Sequence, residues 1–153
     1  MVADTGPILN LTYADHLWLL PALFGELLIP EAVGDELAAY GLKLDQSPWL
    51  IRRVVAEADW RPMVGSFLQI GEAQAIALAL RAGAGRILLD ERAGRKAAVE
   101  AGLRTSGTLG ILALAKREGA ITSCKPVLDL CLVNAGAWFG RKLVQEFLES
   151  VGE

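Results

Sequence analysis

Two short apolar runs, Val2-Ala3 and Ile87-Leu88-Leu89, each stop at an aspartate, Asp4 and Asp90, and each is followed by a stretch of helical character. A short run that is apolar at every position suits a strand buried on both faces, as parallel sheets provide by packing helices above and below. The carboxylate closing each run then stands at a strand's C-terminal end, where open parallel sheets gather their ligands. The chain must therefore bury two such strands and leave charged groups at one end of them.

The remaining pattern alternates in the same way. Thr5-Gly6-Pro7 punctuates the first strand and starts a helix, a helix is predicted over 17–25, and Leu27-Leu28-Ile29 forms a strand stopped by Pro30. Pro30 and an acidic first turn open a helix over 31–40. The alanine- and leucine-rich segment 71–83 is a helix with Glu72 in its first turn and Gly83 at its end. A strand over 86–90, a helix over 91–101, a strand over 103–106 and a helix from Gly107-Thr108 to 118 follow, then helices over 125–134 and 139–151. Residues 41–64 are the least legible, with the pair Val54-Val55 as a candidate edge strand. Strands alternating with helices predict an α/β chain, a three-layer α/β/α sandwich around a parallel central sheet. No repeat or linker-like tract interrupts it, and 153 residues suit a single domain over 1–153.

Composition narrows the function classes. With 53% hydrophobic and 22% charged residues, the chain is unlike disordered sequences. A membrane span needs about 18–20 uninterrupted apolar residues, and the best segment, 5–24, is broken by Asp15, His16 and Pro21. The acidic opening Met1-Val2-Ala3-Asp4 is unlike a secretory signal, so a soluble, cytoplasmic protein is expected. Cys124 and Cys131 lie seven apart in a segment that reads as helical, with about 10 Å of rise between them, too far for a disulfide. One histidine and no CxxC pair leave no ligand set for structural zinc. Residues 1–80 hold four basic and ten acidic side chains, whereas 81–125 hold nine basic and four acidic. That sorting fits a polyanion-binding face beside an acidic pocket, and fits solvated helix faces equally well.

Glu36 and Glu72, read as first-turn residues of their helices, are expected over the same crevice as Asp4 and Asp90. Four converging acids repel one another unless a cation offsets their charge or some stay protonated. Ligation by oxygen alone suits Mg²⁺ or Mn²⁺, ions that serve phosphodiester hydrolysis. Each acid also has a plainer explanation: Asp4 and Asp90 as turn or cap residues, Glu72 as a helix-dipole partner, Glu36 as a surface acid. Their joint placement carries the argument. Thr5 is a candidate substrate contact or a helix cap, and Arg92 and Arg95 are candidate RNA phosphate contacts or solvated helix residues. Trp18, Trp49, Trp60 and Trp138 are scattered, which favours core or dimer-surface roles over base stacking.

Taken together, Val2-Ala3-Asp4-Thr5-Gly6-Pro7, Gly71-Glu72-Ala73-Gln74-Ala75-Ile76-Ala77-Leu78-Ala79, Leu88-Leu89-Asp90-Glu91-Arg92 and Gly107-Thr108-Leu109-Gly110-Ile111-Leu112 resemble the PIN-domain proteins, and most of all the VapC-like prokaryotic toxins. The resemblance covers nearly the whole chain and is weakest across 41–64. It implies a parallel α/β/α sandwich, a Mg²⁺ or Mn²⁺ site made of acids, and ribonuclease activity directed at single strands. Carried over position by position, Asp4, Glu36, Glu72 and Asp90 match the family's metal-binding, catalytic acids. Many relatives have a glutamate where Gln74 stands, so one ion is expected rather than two. A homodimer and a small antitoxin partner are further implications.

The expected function is thus a divalent-metal-dependent endoribonuclease, the toxin of a toxin–antitoxin pair. A non-catalytic PIN-like module that binds RNA or protein is the alternative. A phosphoacceptor receiver-like domain ranks third, because Asp4 has no acidic neighbour.

Overall fold

Val2, Ala3, Ile87 and Leu88 are all fully inaccessible to solvent, as their unbroken apolar character requires. In the computed structural model, which describes residues 1–65 and 68–153, they form the two central strands, β1 (Val2–Ala3) and β4 (Arg86–Leu88). β2 (Leu27–Pro30) and β3 (Leu50–Arg53) extend the sheet on one side and β5 (Arg104–Ser106) on the other. The order is β3-β2-β1-β4-β5 with every pairing parallel.

Successive residues on a strand face opposite ways, and the two central strands feed two cores accordingly. Ala3 and Leu88 join one core with α1 (Thr5–Tyr13), α2 (Leu19–Phe24), α7 (Thr108–Arg117), α8 (Lys125–Asn134) and α9 (Arg141–Ser150). Val2, Ile87 and Leu89 join the other, with α5 (Ile70–Arg81) and α6 (Arg92–Glu100). The result is the three-layer α/β/α sandwich expected from the sequence. Each fully buried leucine or isoleucine, such as Ile8, Leu11 or Ile76, contributes about 1.5–3 kcal/mol of transfer free energy.

α3 (Glu31–Ala39) bridges the C-terminal end of the sheet, sending Val33 and Leu37 into the first core. Its first turn is tied to α5 by the Ala32 N–H, which donates to Gln74 Oε1 at 3.1 Å. α4 (Glu57–Trp60) follows β3, and both lie within the poorly legible segment 41–64. The edge strand there is Leu50–Arg53 and not the Val54-Val55 pair: Val54 is 76% exposed. Its register comes from pairing Leu50 with Leu27 and Ile51 with Leu28, while the exposed Arg52 and Arg53 hide the strand's apolar character.

Because β2 and β3 lie to one side of β1, and β4 and β5 to the other, the direction of strand progression reverses between β1 and β4. A crevice opens beyond the carboxyl ends of strands at such a point. Asp4 and Asp90 flank it. Among the described residues, no helix is long and apolar enough to cross a membrane.

Candidate acidic active site

Asp4 follows β1 directly and is the N-cap residue of α1, with its N–H donating to the Leu88 carbonyl of β4 at 3.0 Å. The chain then turns against Asp90: a Cβ added at Gly6 would stand 3.5 Å from Asp90 Cβ and 3.6 Å from its Oδ2. The two aspartates therefore share one end of the central strand pair.

Asp90 is held from α7 and α1. The Thr108 N–H donates to Oδ1 at 2.7 Å, the Thr108 hydroxyl to Oδ2 at 2.6 Å, and the Asn10 amide to Oδ2 at 3.0 Å. Asn10 also donates to the Thr108 hydroxyl oxygen at 3.1 Å, closing the network. α7 approaches so closely that a Cβ at Gly107 would lie 2.9 Å from the Leu89 carbonyl oxygen.

Glu72 is the third residue of α5, and its Oε2 accepts the Gln69 N–H at 2.9 Å, half of a capping box. Its Oε1 is buried and has no hydrogen-bond partner. A Cβ at Gly94 would fall 2.5 Å from that oxygen, so only glycine lets α6 pack here undisturbed. The helix opens at Glu31, as the sequence predicts, so Glu36 falls in the second turn of α3 and not in the first, where the sequence reading places it. The Thr5 hydroxyl donates to its Oε2, and its Oε1 lies 3.0 Å from where a Gly71 Cβ would be. The carboxylate thus rests against the first turn of α5, where the helix dipole favours negative charge. Thr5 has a third role, distinct from helix cap and substrate contact: it ties Glu36 to α1.

The electrostatics register the crowding. Burial first, then the charges of Glu72, Glu36 and Asp90, push the Asp4 carboxyl up to about 7, against the backbone hydrogen bond of Thr5. Glu72 is raised by burial and by the charges of Glu91 and Glu36, opposed chiefly by the Gln69 amide. Burial also raises Asp90, opposed by Thr108, Asn10 and the Arg95 charge. Arg95, on α6, reaches back with Nη1 to the Leu89 carbonyl at 3.4 Å, and Arg92 is exposed at the same helix's start.

Among the described residues, no three histidine, cysteine or acidic side chains stand close enough to make a ready-formed metal cage. Like charges without a counterion separate onto whatever donors are near: Glu36 onto Thr5, Glu72 onto Gln69, Asp90 onto Thr108 and Asn10. The set nevertheless fits a hard divalent cation in its chemistry. All its donors are carboxylate oxygens, and one of them, Glu72 Oε1, is desolvated and unpartnered.

Asn10 and Thr108 escape the sequence reading, although the six-residue spacing from Asp4 to Asn10 and the Gly-Thr start of α7 are signals that could have found them. Gln74 is committed to the Ala32 amide, which gives its side chain a structural use. A family model for the PIN domain matches residues 1–153. No curated protein and no solved structure matches the chain. With a parallel five-stranded sheet, helices on both faces and that match over the full sequence, the chain belongs to the PIN-domain family.

Proposed function

We propose that the protein is a divalent-metal-dependent endoribonuclease, and that it serves as the toxin of a toxin–antitoxin pair. The observation that carries the nuclease reading is the gathering of Asp4, Glu36, Glu72 and Asp90 from β1, α3, α5 and the end of β4 at one end of the sheet, close enough for their charges to bear on the buried Asp4 carboxyl. Acids gathered at a topological switch point suit a cation-dependent hydrolytic site.

Asp4, Glu36, Glu72 and Asp90 would hold the cation, Mg²⁺ or Mn²⁺, with Glu72 Oε1 as the oxygen that has no competing partner. When bound, such an ion supplies charge neutralisation at a phosphodiester and makes water a better nucleophile. The chain's own residues do the rest. Asp4 would have to be ionised to act as a ligand, so its proton would leave when a cation is held there. Thr108 and Asn10 fix the Asp90 carboxylate, and Thr5 fixes Glu36. Arg92 and Arg95 supply positive charge beside the acids, where an RNA phosphate has to approach.

One ion suits the site better than two, because Gln74 adds no charge and its oxygen is taken by Ala32. The toxin assignment rests on the family resemblance, as does a homodimer. Tyr13, Leu130 and Val133 expose apolar surface near the α1–α8 contact, which supports self-association. The direct test is RNA cleavage in Mn²⁺ by the wild type and by Asp4→Asn. The wild type cuts and the variant, folded, does not; equal cleavage by both defeats the proposal. If Mn²⁺ binds while RNA stays intact, the non-catalytic module is the correct reading.

A further inference from the structure

A pocket of about 600 Å³ lies on the sheet face covered by α2, α7 and α9, and neither the four acids nor any other acid lines it. Leu88, Phe24, Leu114 and Val151 give it an apolar lining, and Arg86, Lys116 and Arg117 give it charge. Lys116 is committed to Glu153 and the Val151 carbonyl, and Arg117 to the adjacent Glu118. Arg86 is exposed and forms no ion pair among the described residues, and the same is true of Arg104. These two arginines start β4 and β5 and are partners in the register, so their side chains leave the same face of neighbouring strands. Like charges opposite one another on a sheet repel, and no carboxylate of the chain is paired with either. The Ser106 hydroxyl lies beneath Gly110, where an added Cβ would collide with it, so glycine keeps this side of the pocket open. Asp90 stands beyond the other end of β4 from Arg86, about 13 Å away along extended chain.

We propose that this pocket binds a small phosphate monoester with an apolar body, the phosphate between Arg86 and Arg104 and the body against Leu88, Phe24 and Val151. The site is separate from the proposed metal centre and does not depend on the nuclease reading. Two guanidiniums side by side present a row of N–H donors. A phosphate monoester, with three acceptor oxygens and up to about two charges, satisfies that row better than a carboxylate does. Inorganic phosphate would leave the apolar lining unused, and a neutral apolar molecule would leave the two arginines repelling each other. A cavity of this size falls within the range of small-molecule sites, which are mostly apolar with a few placed polar groups.

The test is calorimetric titration of the full chain, in chelator, with 1-naphthyl phosphate, inorganic phosphate and 1-naphthol as separate probes. The wild type is compared with Arg86→Gln, Arg104→Gln, Gly110→Ala and Arg53→Gln. Arg53 is exposed on β3, at the far edge of the sheet, and controls for the loss of one positive charge. One saturable site for 1-naphthyl phosphate is expected, with inorganic phosphate and 1-naphthol each bound at least about tenfold more weakly. Arg86→Gln and Arg104→Gln should each weaken 1-naphthyl phosphate binding about tenfold or more. Gly110→Ala should weaken it while folding normally, since alanine favours a helix, and Arg53→Gln should bind as the wild type does. The proposal is overturned by a wild type without saturable binding, by inorganic phosphate bound as tightly as 1-naphthyl phosphate, by unchanged binding in both pocket arginine variants, or by an equal loss in Arg53→Gln. None of these results would touch the nuclease reading, which stands or falls on cleavage by the wild type and Asp4→Asn.

Discussion

Thr108 donates to Asp90 twice, from its backbone N–H at 2.7 Å and from its hydroxyl at 2.6 Å. Thr108 is itself fully buried, so the aspartate is gripped by a group that water cannot replace. Thr108→Val keeps the shape and the N–H but removes the hydroxyl, leaving Asp90 Oδ2 one donor short and the Asn10 amide one acceptor short. A loss of about 1–3 kcal/mol in urea unfolding is expected. Cleavage in Mn²⁺ should fall roughly 10–100-fold, as for other groups that orient metal ligands. Thr108→Ser should restore most of both, and wild-type behaviour of the valine variant would remove Asp90 from the site.

The fold and the site are coupled through pH. Asp4 binds its proton more tightly when folded, up to about 7, than when unfolded. Between about pH 4 and pH 7 the native state therefore holds a proton that the unfolded chain has lost, and stability falls as pH rises through that window. Asp4→Asn removes the penalty. The metal-free variant should be more stable than the wild type above pH 7, by no more than about 4 kcal/mol, with the gap closing below pH 4. Thermal unfolding at several pH values in chelator measures this, and a gap independent of pH would show that Asp4 is not electrostatically stressed.

Gly94 separates stability from function. On helix propensity alone, alanine in α6 should stabilise the protein by up to about 1 kcal/mol. A Cβ there would meet Glu72 Oε1 at 2.5 Å, however, and the end of a flexible side chain yields before a helix does. Gly94→Ala should therefore fold normally while its Mn²⁺ dissociation constant rises roughly 10–100-fold. Unaltered Mn²⁺ affinity would mean that Glu72 does not contribute from the position it occupies.

Neither cysteine should react in the native protein. Burial, with the charge of Asp90 behind it, pushes the Cys131 thiol up to about 11, and burial followed by Glu153 raises Cys124. The thiolate is the reactive form. Alkylation with iodoacetamide at neutral pH should proceed only on unfolding, and rapid native labelling of either residue would contradict the buried placement.

What is legible in the sequence is local. The apolar runs ending at Asp4 and Asp90 are complete within a few residues, and so is the capped, alanine-rich α5, so their type and their acids can be read directly. Glu36 is named from the sequence as a helical acid over the crevice, but the sequence places it one turn too early. Its place depends on α3 docking against α5 through Gln74 and Ala32, an interaction spanning 42 residues that no periodicity encodes. The same holds for Asn10 and Thr108, which meet at Asp90 from opposite ends of the chain. β3 escapes the sequence pattern because an edge strand with two exposed arginines has no apolar alternation, and only pairing with β2 defines it.

The central claim, that four carboxylates share one divalent cation, is tested most directly by calorimetric titration of the full chain with Mn²⁺ in buffers of different ionisation enthalpy. The account predicts a single saturable site that releases protons below pH 7, is lost in Asp4→Asn and is weakened in Glu72→Gln. Absence of saturable binding, or binding that both variants retain unchanged, would contradict it.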